Sequence, residues 1–283
     1  MASELREAVE LRMRLRGFSP RTNESYIHAL EELARFFMRP LDELECDQIQ
    51  HFLDYLISER KLAHSTINVY FSAFRFLYEQ ILNWPKKRFS IPRRSRSQKR
   101  PGILSREETM RLIEAPRNLK HRALLSMVYG SGLRVAEVVN VMPVHVDRGR
   151  LMLKVTGKGN KDRYTLLAEH TLELLDQHWR ANQPESYFFF GRDKAQPMAI
   201  GTAQAIYYQA LERSGVRKVG GIHVLRHCFA SHALEDGHDV FSIKNWMGHS
   251  WLKTTGRYFH LVPGSMRNII TPLDRIPHLF DKS

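Results

Sequence analysis

The chain has 283 residues, with 43 Lys and Arg against 30 Asp and Glu and a formal net charge of +13. Apolar residues make up 43% and charged residues 26%, the composition of a chain that buries a core, which excludes a disordered, collagen-like or disulfide-scaffold protein. A basic excess of this size favours a polyanionic partner, nucleic acid before a membrane surface.

At roughly 150 residues per domain, the length predicts two domains. No apolar run reaches the ~18 residues of a membrane span. The opening MASELREAVE lacks the basic and apolar blocks of a secretory leader. Cys46 and Cys228 lie far apart, which suits a reducing compartment, so a cytoplasmic protein is expected.

The first 85 residues read as a small helical bundle. A weak helix is predicted over 3–16. Ser19-Pro20 supplies an N-cap with proline at the first helical position, ahead of the stripe Tyr26, Ala29, Leu30, Leu33, Phe36 and Phe37. Ile49, Phe52, Leu53, Leu56 and Ile57 form a second stripe. Ser65 is expected to cap a third, made of Ile67, Tyr70, Phe71, Phe74, Leu77, Tyr78 and Ile81. These aromatics read as core. Arg75, on the side of that helix carrying Ser72 and Glu79, is a candidate DNA contact that otherwise reads as a solvated arginine.

Residues 86–100, KKRFSIPRRSRSQKR, hold eight basic residues and no acidic one: Lys86, Lys87, Arg88, Arg93, Arg94, Arg96, Lys99 and Arg100. With Pro92, three serines and no apolar period, the stretch reads as an interdomain linker. It is either a solvated hinge or a strap lying on a phosphate backbone.

The second half mixes helices with a short sheet. Ser105 and Glu108 form a capping box. A buried helix over 119–129 ends at Gly130-Ser131-Gly132, and another begins near Leu133. Leu151, Leu153 and Val155 alternate as a strand, with Arg163–Leu167 as its partner and Gly157-Lys158-Gly159-Asn160 as the hairpin turn. Helices are predicted over 169–180, 202–214, 225–236 and 239–247.

Four elements in this half bear on chemistry. GSGLRVAEVV puts Arg134 just after a glycine turn, with Glu137 one turn on; VTGKGNKDRYTLL puts Lys158 at a hairpin tip; His223-Val-Leu-Arg226 is an H-x-x-R pair; MGHSWLKTTGRYFH carries His249 and Tyr258. Each alone has an ordinary structural reading: a helical ion pair, a solvated lysine, a chance pairing, a capped turn. Together and in this order they resemble the tyrosine recombinase (phage integrase) family, and the resemblance runs over roughly residues 5–260. Flanking words such as LRHCFASHALEDG extend it.

The resemblance implies a mainly α fold with a small β-sheet: an N-terminal helical core-binding (SAM-like) domain over 1–85, the linker over 86–100, and an α+β catalytic domain over 101–283. It implies site-specific DNA recombination, as in the short Xer-like or mobile-element integrases, with Tyr258 as nucleophile and a 3′-phosphotyrosyl intermediate. Arg134 and Arg226 would hold the scissile phosphate, Lys158 would protonate the leaving 5′-hydroxyl, His223 would assist proton transfer and His249 would hydrogen-bond the phosphate. Glu137 would buttress the Arg134 turn. The expected partner is double-stranded DNA, bound as a homo-oligomer that becomes a tetramer on two duplexes, on the nucleoid. The apolar tail 259–283 would dock on a neighbouring protomer, the exchange common in the family, or back on its own domain. A type IB topoisomerase-like DNA-relaxing enzyme and an inactive DNA-binding relic remain the alternatives.

The chemistry suits these residue types. Arginines stay charged at physiological pH and fork onto phosphate oxygens. A tyrosine of ordinary pKa ~10 needs a proton acceptor or a cationic site. No cofactor or metal is expected: five histidines fall between 223 and 249, yet no H-E-x-x-H, cysteine pair or carboxylate cluster accompanies them.

If the linker is a strap, replacing Arg93, Arg94, Arg96, Lys99 and Arg100 by Gln flattens the dependence of log K on log salt by about 0.9 per lost phosphate contact. DNA binding titrated across salt concentrations measures it, and an unchanged slope reduces the segment to a hinge.

Overall fold

The computed structural model describes residues 3–85, 89–90, 102–157, 162–217 and 220–248. The chain divides into two compact units, Met1–Gln98 and Lys99–Ser283. The fold is mainly helical with one small sheet, the class expected from the sequence. Among the described residues no helix is long and apolar enough to cross a membrane.

The first unit holds α1 (Ser3–Leu15), α2 (Pro20–Phe37), α3 (Cys46–Ser58) and α4 (His64–Gln80). Ser19 caps α2, its hydroxyl accepting from the Thr22 amide at 3.2 Å, with Pro20 opening the helix. Ser65 does not cap α4, contrary to expectation. Ala63 takes that place: its carbonyl accepts from the Thr66 and Ile67 amides, and burial of Ile67 sets where the helix begins. Leu30, Leu33, Ile49, Phe52, Leu53, Leu56, Phe74 and Leu77 form the core. Tyr78 is fully buried and donates to the Leu41 carbonyl at 2.7 Å. Phe36, expected in the stripe, is 38% exposed; it lies at the edge of the core against the rings of Phe37, Phe52 and Tyr55.

The second unit starts with α5 (Arg106–Glu114), closed by the Ser105–Glu108 capping box, and α6 (Leu119–Gly130), capped by Asn118. A single turn, α7 (Val135–Val138), follows the Gly-Ser-Gly turn. The antiparallel sheet has the order β1 (Val146–Asp147), β2 (Met152–Thr156), β3 (Asp162–Leu166), with Val155 opposite Arg163. Leu151 is not part of the strand. It has φ 50° and makes the turn into β2, so the inward alternation is Leu153 and Val155. β1 has two residues, too few to show a period.

Helices α8 (Glu169–Asn182), α9 (Ile200–Ser214), α10 (His223–Glu235) and α11 (Val240–Met247) are the other helices among the described residues of the unit. α6 packs on α8 and α10. α10 is buried almost all round, from Val224 through Ala233, as a central helix must be.

Gly132 ends the turn after α6 at φ 61°, and a Cβ there would stand 2.5 Å from Phe229 Cδ1 on α10. The left-handed backbone and the close approach both require glycine. Gly132→Ala therefore lowers stability by about 2–4 kcal/mol. A denaturant midpoint measures this, and a variant as stable as the parent contradicts it.

Candidate active site

The turn that Gly132 makes brings the chain to Arg134, the residue that precedes α7 in an extended conformation (φ −77°, ψ 152°). From there its backbone amide donates to Glu137 Oε2 at 2.8 Å, and its Nη1 donates to Glu137 Oε1 at 2.7 Å. Glu137 is only 6% exposed.

Two more guanidiniums converge on this carboxylate. Arg163, from β3, donates Nη1 to Oε1 and Nη2 to Oε2, each at 2.9 Å. Arg226, from α10, stands with Nη1 3.7 Å from Oε2 and hydrogen-bonds the Gly132 carbonyl. Burial by itself would push the Glu137 carboxyl up. Hydrogen bonds from Arg163 and from the Arg134 amide, with the charge of Arg163, outweigh it and hold the carboxyl below the usual range. Glu137 is therefore ionised at neutral pH.

The same arginines take the end of α11. Three successive carbonyls there accept from three different guanidiniums: Trp246 from Arg163 Nε at 2.7 Å, Met247 from Arg226 Nη2 at 2.6 Å, Gly248 from Arg134 Nη2 at 3.2 Å. The last carbonyls of a helix lack partners within it and carry its negative dipole end, so cations are favoured there. Gly248 closes the helix at φ 62°, and a Cβ on it would meet Arg163 Cδ at 2.9 Å.

The result is three guanidiniums around one carboxylate, an excess of positive charge. Arg226 and Arg163 are sunk, with side chains 6% and 12% exposed, while Arg134 is 37% exposed. His223 lies one turn before Arg226 on α10 and is exposed as a residue. Its ring is nonetheless held below the usual imidazole pKa, by lost solvent first and then by the charges of Arg226 and Arg134. A neutral imidazole can accept a proton.

The structure thus brings Arg134, Glu137, His223 and Arg226 together. Lys158, His249 and Tyr258 lie outside the described residues, as do the tail 259–283 and Lys86, Lys87, Arg88, Arg93, Arg94, Arg96, Lys99 and Arg100. Arg75 is engaged within its own helix: it forks onto Glu79 at 3.0 and 2.8 Å and lies over the Phe71 ring. Among the described residues no group of three His, Cys, Asp or Glu is placed to hold a metal. Arg163 was missed in the sequence. Its signal was there: it shares the inward phase of β3 with the buried Thr165, and an arginine on the inward phase of a strand must find a partner.

Residues 103–264 match the phage integrase family, and residues 5–87 match the phage integrase N-terminal SAM-like domain. The chain belongs to the phage integrase family, the tyrosine recombinases. A putative integrase/recombinase of Sinorhizobium fredii is 34% identical over 280 residues, 96% of this chain and 89% of the relative. The tyrosine recombinase XerC of Staphylococcus haemolyticus is 28% identical over 90% of this chain and 91% of its own. The fold is that of the XerH site-specific recombinase, solved bound to a palindromic difH substrate in a post-cleavage complex; it aligns with a TM-score of 0.70 and 21% identity over 84% of this chain and 76% of that one. Tyrosine recombinases are DNA breaking-rejoining enzymes.

Glu137→Gln leaves this family member with three guanidiniums and no anion, and costs about 3–5 kcal/mol of stability near pH 7. Because the folded-state carboxyl is lowered, its contribution is complete above the ordinary value of about 4.3 and is lost as pH falls through the lowered one. Urea unfolding at neutral and acid pH should show the difference between parent and variant shrinking in acid. A difference independent of pH contradicts an ionised Glu137.

Proposed function

We propose that the protein is a site-specific recombinase that cleaves and rejoins duplex DNA through a 3′-phosphotyrosyl intermediate on Tyr258, exchanging strands in DNA integration or excision. The observation that carries this reading is the positively charged cluster of Arg134, Arg163 and Arg226 around Glu137, with Arg134 open to solvent. Such a site suits a phosphate that gains negative charge in its transition state. Preorganised donors aimed at developing charge are worth ~3–4 kcal/mol each.

In the proposed step the Tyr258 oxygen attacks the phosphorus and its proton passes to a base, with His223 assisting. The bond to the 5′-oxygen breaks, and Lys158 protonates that oxygen. Arg134, Arg226 and His249 bind the non-bridging oxygens. The phosphotyrosyl bond keeps the energy of the phosphodiester, so attack by a 5′-hydroxyl of the partner strand reseals the DNA with no ATP and no metal. Strand exchange between two duplexes would proceed in a tetramer, with the tail 259–283 docking on the next protomer. The relatives support a DNA partner: the XerH structure contains its substrate.

Tyr258→Phe should bind duplex DNA as the parent does and form no covalent adduct with a nicked suicide substrate on a denaturing gel. Arg134→Ala and Arg226→Ala should lose cleavage about 100-fold or more while keeping most binding. A parent that exchanges strands between two labelled duplexes is a recombinase, whereas one that only relaxes a supercoil is topoisomerase-like. An adduct that persists in Tyr258→Phe sinks the assignment of the nucleophile.

A further inference from the structure

We propose that Arg163 is a positioning residue of the cleavage site: it holds Glu137 and the end of α11 in the one arrangement that aims Arg134 and Arg226 at the scissile phosphate. This rests on the reading of those two arginines as phosphate-binding groups.

All three nitrogens of the Arg163 guanidinium are engaged. Nη1 and Nη2 take the two oxygens of Glu137, and Nε takes the Trp246 carbonyl. With its side chain only 12% exposed, Arg163 is committed to the protein interior and does not itself reach for DNA. What it touches is what sets its neighbours. Glu137 Oε1 is shared between Arg163 Nη1 and Arg134 Nη1, and Oε2 between Arg163 Nη2 and the Arg134 amide. A shift of the carboxylate therefore shifts Arg134 at both its backbone and its side chain.

The second grip acts on α11. Trp246, Met247 and Gly248 are consecutive, so the carbonyl fixed by Arg163 determines where the next two stand, and those two hold Arg226 and Arg134. Arg163 also packs where a Cβ on Gly248 would go, so the helix end cannot slide toward β3 without displacing it. In the chain, His249 follows Gly248 directly and Lys158 precedes β3 by four residues. Arg163 thus ties β3 to the turn that carries Arg134 and to the end of α11, from which His249 follows.

A lysine keeps the charge but is a single point donor; it cannot fork across a carboxylate and reach a carbonyl at once. Arg163→Lys separates geometry from charge. The experiment uses the full-length protein, single-turnover cleavage of a suicide duplex carrying either an ordinary scissile phosphate or a neutral methylphosphonate, DNA binding by the same protein, and a thermal melt. The expected result is a folded variant whose binding stays within about threefold of the parent while cleavage of the ordinary phosphate falls ~10–100-fold. On the methylphosphonate the deficit should shrink by at least about threefold, because one charged non-bridging oxygen is gone and less developing charge is left for aimed cations to meet.

Three results overturn the proposal: cleavage of the ordinary phosphate within about threefold of the parent, an equal deficit on both substrates, or a variant unfolded at the assay temperature, which makes Arg163 a residue of the fold and not of the site. A parent that forms no adduct on either substrate instead refutes the recombinase reading on which the proposal stands.

Discussion

Everything in the catalytic unit turns on a single buried carboxylate. Three guanidiniums cannot be gathered in a partly desolvated place without an anion among them, because each repels the others and loses hydration. Glu137 supplies that anion at one point reachable from the Gly132 turn, from β3 and from α10. Its ionisation is enforced by the groups it organises, since burial alone would favour the neutral acid. The acid and the arginines are therefore conditions of one another.

The remainder of the unit makes that convergence rigid. α10 is buried on nearly all sides, so Arg226 has no freedom to move with it. The chain just after the basic stretch is fastened to the same helix. The Leu104 amide donates to Cys228 Sγ at 3.3 Å, and the Leu104 carbonyl lies 3.1 Å from His232 Nε2. A carbonyl can only accept, so Nε2 carries the proton and Nδ1 accepts from the Tyr129 hydroxyl at 2.8 Å. Burial holds this imidazole below its usual pKa, in keeping with a neutral ring satisfied on both sides. Arg106 adds a bond to the His232 carbonyl. Of the three histidines of α10, His232 in the last turn is structural, while His223 at the start is the predicted proton-transfer group.

The sequence was most readable where one physical rule acted alone. Apolar stripes and caps placed α2, α3, α5 and α8 with little error, because amphipathic burial and an orphan amide decide them locally. It was less readable where tertiary contacts overrode local preference. Ser65 is a good capping residue that lost its place to Ala63, since burial of Ile67 fixed the register of α4. Phe36 fits the helical period yet sits at the rim, because an aromatic cluster can use an edge as well as a centre. Leu151 fits the strand period but adopts a left-handed conformation, which alternation does not report. Arg134, His223 and Arg226 were found through family likeness; their spacing alone reads equally well as ordinary surface chemistry. Arg163 was overlooked because a charged residue beside a hairpin turn reads as solvated until its strand phase is checked.

The choice of partners around the arginines also bears on what the site can bind. Three carboxylates would have satisfied three guanidiniums and left a neutral cluster with little pull on a phosphate. Here one carboxylate is shared, and the remaining donors are met by backbone carbonyls at the end of α11 and in the Gly132 turn. Carbonyls and a helix terminus carry partial charge only, equivalent to about half an electron at the helix end. They fix direction while leaving most of the positive charge uncompensated. Placement is graded to match: Arg226 and Arg163 are sunk and anchored, while Arg134 is tethered from behind and open in front. On the proposed reading, an incoming phosphate would meet cations already oriented during folding, with little reorganisation left for the moment of reaction.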